Sequence, residues 1–101
     1  MVYSYGASKA AIHHLTQILA SDLAKDNITI NALAPGAFYS RMMAYALDDQ
    51  GSRDQLISTT PLKRLGQAQD IAGAALFLSS AAGAYVTGAI IPVDGGMIIA
   101  E

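Results

Sequence analysis

Tyr5 and Lys9 stand four residues apart in the stretch YSYGASKAA (3–11). On a helix, positions i and i+4 share a face, so a lysine ammonium can lie beside a phenol. A free tyrosine has a pKa of about 10, too high for efficient proton exchange at neutral pH. A fixed cation nearby favours the phenolate and lowers that value. Such a tyrosine gives a proton to a carbonyl oxygen as it becomes an alcohol, or takes one in the reverse direction. On spacing alone the pair reads more readily as helix-surface decoration, because perturbed sites are a minority of such pairs. Tyr3 has no lysine four residues on, so packing or cleft lining is its reading.

The remaining candidates for chemistry are fewer. His13 and His14 are adjacent, so a helix points them about 100° apart and they suit a metal poorly. They read as a solvated or subunit-contacting face. Asn31 sits in an apolar stretch, where a buried amide must be hydrogen-bonded, so it reads as a structural tie. Asp94 precedes two glycines and reads as turn chemistry, not as a catalytic acid. No metal site is expected.

The elements that must position these residues alternate in type. From Gly6 to Ala24, Ile12, Leu15, Leu19 and Leu23 recur at spacings of three and four, the pattern of an amphipathic helix. Lys25-Asp26-Asn27 is its stop, with Asn27 suited to the left-handed conformation. ITINALA (28–34) reads as a short buried strand ended by Pro35-Gly36. Residues 37–60 hold short amphipathic pieces interrupted by DDQGSRD (48–54), read as one or two helices over a mobile segment. TPLKRLGQ (60–67) is a connector, and Ala68 to Ser80 a second long helix. A turn region (79–88) leads to a second apolar strand, AIIPV (89–93), closed by Asp94-Gly95-Gly96. Two strands joined by a helical crossover should lie parallel. Two parallel strands alone leave edges and faces uncovered, so the expected fold class is α/β, the end part of a doubly wound parallel sheet.

Composition narrows the functional classes. Charged residues make up 14% of the 101, against about 25% in typical soluble proteins, and 52% are hydrophobic. The chain has little polar surface with which to stand alone, and reads as part of a larger domain or as an oligomer subunit. A net charge of −2 and the lack of a Lys/Arg cluster argue against nucleic acid. With no cysteine, disulfides and thiolate metal sites are excluded. No apolar run approaches the roughly 18 residues of a membrane span, and the N-terminus lacks the pattern of a signal peptide. The expectation is a cytoplasmic protein without membrane or nucleic-acid partners.

Taken in order, YGASKAA, ITINALAPG, PLKRLGQAQDIAGAALFLSS and YVTGAIIPVDGG resemble the C-terminal part of short-chain dehydrogenases/reductases. The resemblance runs over essentially the whole chain and implies the C-terminal part of a Rossmann-like domain, two strands and two long helices with a helical lid at about 37–60. It implies that Tyr5 is the catalytic acid/base, and that Lys9 holds the ribose hydroxyls of NAD or NADP and lowers the pKa of Tyr5. It implies that Pro35 and Gly36 close a strand beside the nicotinamide, that Phe38 offers main-chain groups to its carboxamide, and that the Ser40 hydroxyl contacts the cofactor where the family often has threonine. Tyr5, Lys9, Pro35, Gly36, Phe38 and Ser40 are thus the expected cofactor-binding set. In the lid, Phe38, Tyr39, Met42, Met43, Tyr45 and Leu47 would either wall a substrate cleft or fasten the lid to the body. In this family the first helix packs on its counterpart in another subunit, so a homo-oligomer, dimer or tetramer, is expected.

No G-x-G-x-x-G and no T-G-x-x-x-G-x-G occurs anywhere in the chain. Those glycines cradle the cofactor pyrophosphate at a helix N-terminus. The residue that chooses NAD or NADP, and the family's serine and asparagine upstream of the tyrosine, are missing as well. Met1 stands where the second half of such a domain would begin, so a truncated chain, inactive alone, is expected. The expected parent function is the interconversion of a small-molecule ketone and a secondary alcohol. The alternative is a non-catalytic association module derived from such an enzyme.

Overall fold

The structure, a computed structural model, describes residues 3–41 and 43–99, without the side chains of Tyr3, Tyr5 and Ile99. The first helix, α1 (Tyr3–Leu23), holds the Tyr5–Lys9 stretch entirely within it. A short 3₁₀ turn, Ala24–Asp26, follows, and Asn27 ends it in the left-handed conformation at φ 59°, as the sequence suggests. The Ile28 amide then donates to the Leu23 carbonyl, closing the helix terminus.

Two short strands form the sheet, β1 (Ala32–Pro35) and β2 (Ile90–Val93), paired in parallel. The pairing is marked by Ala32 N–H donating to the Ala89 carbonyl at 2.9 Å and Gly36 N–H to the Val93 carbonyl at 3.0 Å. β1 begins four residues later than the run ITINALA predicts. The reason lies in its partner: Gly88, at φ 76°, bends the chain opposite, so residues 28–31 meet it through single bonds and not a ladder, the Gly88 amide donating to the Ile30 carbonyl at 2.7 Å. There the Ile30 amide bonds the Thr87 hydroxyl instead, at 3.1 Å.

Between the strands lie α2 (Ala44–Leu47), α3 (Gln50–Thr59) and α4 (Ala68–Ser79), with 3₁₀ turns at Ala81–Gly83 and, after β2, Met97–Ile99. DDQGSRD, expected to interrupt the helices, instead starts one. Asp49 caps α3, its carboxylate accepting from the Ser52 amide at 2.9 Å and the Ser52 hydroxyl at 2.8 Å. Those bonds, the amide first, hold the Asp49 carboxyl below the usual carboxylate range. No helix among the described residues is long and apolar enough to cross a membrane.

The chain divides into two units, residues 1–33 with 76–91 and residues 34–75 with 92–101. In the first, α1 turns inward its small residues Thr16 and Ala20, which are buried, while Ile12, Leu15, Ile18 and Leu19 are 37–54% exposed. The apolar stripe read from the periodicity is therefore not the face that packs within this chain. The inward face is small because the backbone comes close: a Cβ on Gly88 would lie 3.5 Å from Cβ of Ala20. Thr16 is accommodated there by donating its hydroxyl to the Ile12 carbonyl at 2.8 Å. In the second unit the buried apolar anchor is Leu47, 2% exposed. Among the described residues, Ala20 and Leu47 are the fully buried apolar side chains, and the other apolar residues are half-buried or exposed.

Candidate active site

Tyr5 and Lys9 lie one turn apart on α1, in the first unit, the spacing that puts two residues on one helix face. The Tyr5 side chain, like that of Tyr3, lies outside the described residues, as does Met42. Pro35, Gly36, Phe38 and Ser40 belong to the second unit.

There the carboxyl ends of the strands are built from close backbone contacts. Pro35 is the last residue of β1. A Cβ on Gly36 would fall 2.6 Å from Cβ and 2.7 Å from Cα of Asp94, so glycine is required by the chain itself, by the turn that follows β2. That turn is the one expected of Asp94: its carboxylate accepts from the Gly96 amide at 2.9 Å and the Ile98 amide at 3.1 Å. Gly95 and Gly96 sit at φ 63° and 91°, a region only glycine enters freely.

Phe38 forms a parallel bridge with Gly66. The bond runs from the Gly66 amide to the Ala37 carbonyl, at 2.9 Å, so the main-chain groups of Phe38 are not spent on it. The Phe38 ring lies where a side chain on residue 66 would be, so any larger residue there has to displace the ring. Ser40 accepts a bond from the Met43 amide at 3.3 Å, capping the turn into α2, and its hydroxyl proton is not used in that bond.

The residues expected to form a lid differ in their surroundings. Leu47 is buried and fastens the segment, and Phe38 packs on Gly66. Tyr45 is 81% exposed, and Tyr39 is exposed with its hydroxyl donating to Asp48 at 2.9 Å. That bond to the carboxylate pushes the Tyr39 phenol above its ordinary pKa.

A pocket of about 290 Å³ opens in the second unit, lined among others by Phe38, Thr60, Leu62, Asp94, Gly95 and Gly96. Of the expected cofactor residues it takes in Phe38 alone. Arg64 and Asp70 also line it, and the sequence reading passed over both. Arg64 makes a two-bond pair with Asp70, at 2.8 and 3.1 Å, and Asp70 also accepts from the Gln67 amide at 2.7 Å. The Arg64 bonds, then the Gln67 amide, lower the Asp70 pKa to about 2. A signal was present: an acidic residue three positions after a capping residue bonds that residue's amide. Among the described residues no group of three or more potential ligands could hold a metal ion.

A two-strand parallel sheet with helical crossovers, its strands ending in close-packed glycines, is a piece of a Rossmann-type α/β fold. Residues 2–98 match the family model described as enoyl-(acyl carrier protein) reductase. The chain is 42% identical over 94 residues to the rhamnolipids biosynthesis 3-oxoacyl-[acyl-carrier-protein] reductase of Pseudomonas aeruginosa, covering 93% of this chain and 37% of that one. It is 48% identical over 93 residues to the cyclohexanol dehydrogenase of Rhodococcus sp., covering 92% and 34%. A gluconate 5-dehydrogenase from Burkholderia cenocepacia, solved with NADP and tartrate, superposes with a TM-score of 0.90 at 39% identity, covering 97% of this chain and 38% of that one. The chain belongs to the short-chain dehydrogenase/reductase family. It spans little more than a third of the length of the relatives it matches.

Proposed function

We propose that this chain is the acid/base and lid portion of an NAD(P)-dependent oxidoreductase that interconverts a ketone and a secondary alcohol. The observation that carries the reading is the family match over residues 2–98, with Tyr5 and Lys9 one turn apart on α1. When bound, NAD or NADP supplies the hydride acceptor or donor. The residues present fit such a group: the strands end in glycine-bearing turns, and the bond at the Phe38–Gly66 bridge is carried by the Ala37 carbonyl and not by Phe38. Tyr5 holds the substrate oxygen and moves its proton. Lys9 favours the phenolate and binds the ribose hydroxyls. Pro35 and Gly36 shape the wall beside the nicotinamide, Phe38 orients its carboxamide, and Ser40 donates its hydroxyl to the cofactor. Residues 37–60 act as the substrate lid, with Tyr45 as its exposed contact. The named relatives include an acyl-carrier-protein reductase, a cyclohexanol dehydrogenase and a sugar-acid dehydrogenase, so the substrate is proposed no more narrowly than a small carbonyl or alcohol.

Tyr5→Phe in the intact enzyme carrying this segment tests the reading. Turnover should fall by at least about 100-fold, the scale of lost acid/base catalysis, while cofactor affinity is kept. Turnover near the wild-type rate would refute the assignment.

A second reading, a non-catalytic association module, is favoured by the exposed α1 residues Ile12, Leu15, Ile18 and Leu19. The same face would serve a homo-oligomer of the enzyme. Light scattering tests the module: Leu15→Glu should reduce an oligomer under either reading, but a wild-type chain that is already monomeric would sink the module.

A further inference from the structure

The Arg64–Asp70 pair contributes little as a stabilising ion pair. Its side chains are 49% and 24% exposed, and exposed pairs are screened by solvent. Its geometry is more telling. The guanidinium meets the carboxylate through two bonds and donates a third, at 3.1 Å, to the Leu65 carbonyl. Asp70 takes the Gln67 amide as well, so both ends of the Leu65-Gly66 step are tied to α4. Gly66 is the residue whose amide bonds Ala37 and whose open face receives the Phe38 ring. A continuous series of bonds therefore runs from the first turn of α4, through Asp70, Arg64 and Gln67, to Gly66 and the main chain at Ala37 and Phe38.

We propose that Arg64 and Asp70 are positioning residues, a two-bond clamp that holds the Gly66 backbone in place and thereby sets the main chain of Phe38. The clamp needs a fork: one carboxylate must hold the guanidinium and the Gln67 amide at once, which a point charge on a flexible stem does not enforce. For catalysis it rests on the reading that Phe38 faces the nicotinamide.

Two measurements test the clamp. Amide hydrogen exchange in wild type, Arg64→Gln and Asp70→Asn compares Gly66 with Gly36, whose amide is bonded to Val93. Both variants should speed exchange at Gly66 by about three- to tenfold, the scale of one lost hydrogen bond, and leave Gly36 unchanged. Equal rates at Gly66, or parallel changes at both amides, overturn the clamp. In the intact enzyme the same variants should raise KM for the nicotinamide cofactor by a similar factor, with kcat at saturation nearly kept. A merely structural role would lower the amount of active enzyme and leave KM unmoved. Arg64→Lys should behave as Arg64→Gln does, and full rescue by lysine would overturn the fork. If Tyr5→Phe abolishes turnover while Arg64→Gln leaves cofactor KM unchanged, the positioning role fails and the enzyme reading stands. If Tyr5→Phe turns over normally, the enzyme reading fails, and exchange at Gly66 still decides the clamp.

Discussion

The two ends of the small sheet are held by different means. At the amino end of β1, Asn31 spans the gap with its side chain, donating to the Val86 carbonyl and accepting from the Ala89 amide, both at 2.9 Å. At the carboxyl end, among the described residues, no side-chain hydrogen bond joins the two strands. Gly36 lets the Asp94 backbone in, and the following turn is made by Asp94 on its own amides. A polar tie fills space, whereas a glycine contact requires it empty. In parallel α/β sheets ligands collect outside the carboxyl ends, and the emptier device stands at that end here.

Substitutions sharpen that contrast. The largest effect is expected for Gly36→Ala, which drives a Cβ into Asp94 backbone that cannot swing away, costing about 2–3 kcal/mol by urea denaturation. A neutral result would mean the carboxyl end is slack. Asn31→Ala removes both bonds and leaves a carbonyl and an amide unpaired, for about 2 kcal/mol. If it proved milder than about 0.5 kcal/mol, water would be replacing the tie. Gly66→Ala meets only the far edge of the Phe38 ring, which can rotate, so about 1 kcal/mol is expected.

The smallest effect is a pH dependence. The Asp70 pKa, about 2 when folded, lies below the ordinary value of about 3.9, so its contribution is fully present above about pH 4 and is lost as pH falls through about 2. The difference in Gly66 protection between wild type and Asp70→Asn should shrink over that interval, to about half at pH 2. A difference undiminished at pH 2 would detach the protection from the carboxylate.

Much of this was legible in the residues. Asn27 as a left-handed stop, Asn31 as a tie and Asp94 as a turn-former each follow from local chemistry that needs no distant partner to be named. The two long helices and the second strand were readable from periodicity and breakers for the same reason. What failed depended on neighbours. The start of β1 is set by the turn at Gly88, some 56 residues away, and the inward face of α1 by how closely that turn approaches Ala20. The stripe of Ile12, Leu15 and Leu19 was correctly found, but periodicity does not say what a stripe faces. At the site, the family resemblance supplied roles for six residues, yet Arg64 and Asp70 were missed because their meaning is a bond between a connector and a helix.

Asn31 has a consequence for how the chain finds its fold. A slip of two residues between β1 and β2 would leave every side chain on its own face, so hydrophobic alternation does not forbid it. The amide does. Its donor and acceptor match a carbonyl and an amide presented together by the loop at 86–89, and a slip of two residues moves Asn31 off both. The mispaired sheet would carry an unsatisfied amide near its starting end. Because the partners are 55 and 58 residues apart, closure is a long search with many near misses. One polar side chain thus works as a proofreader of strand register.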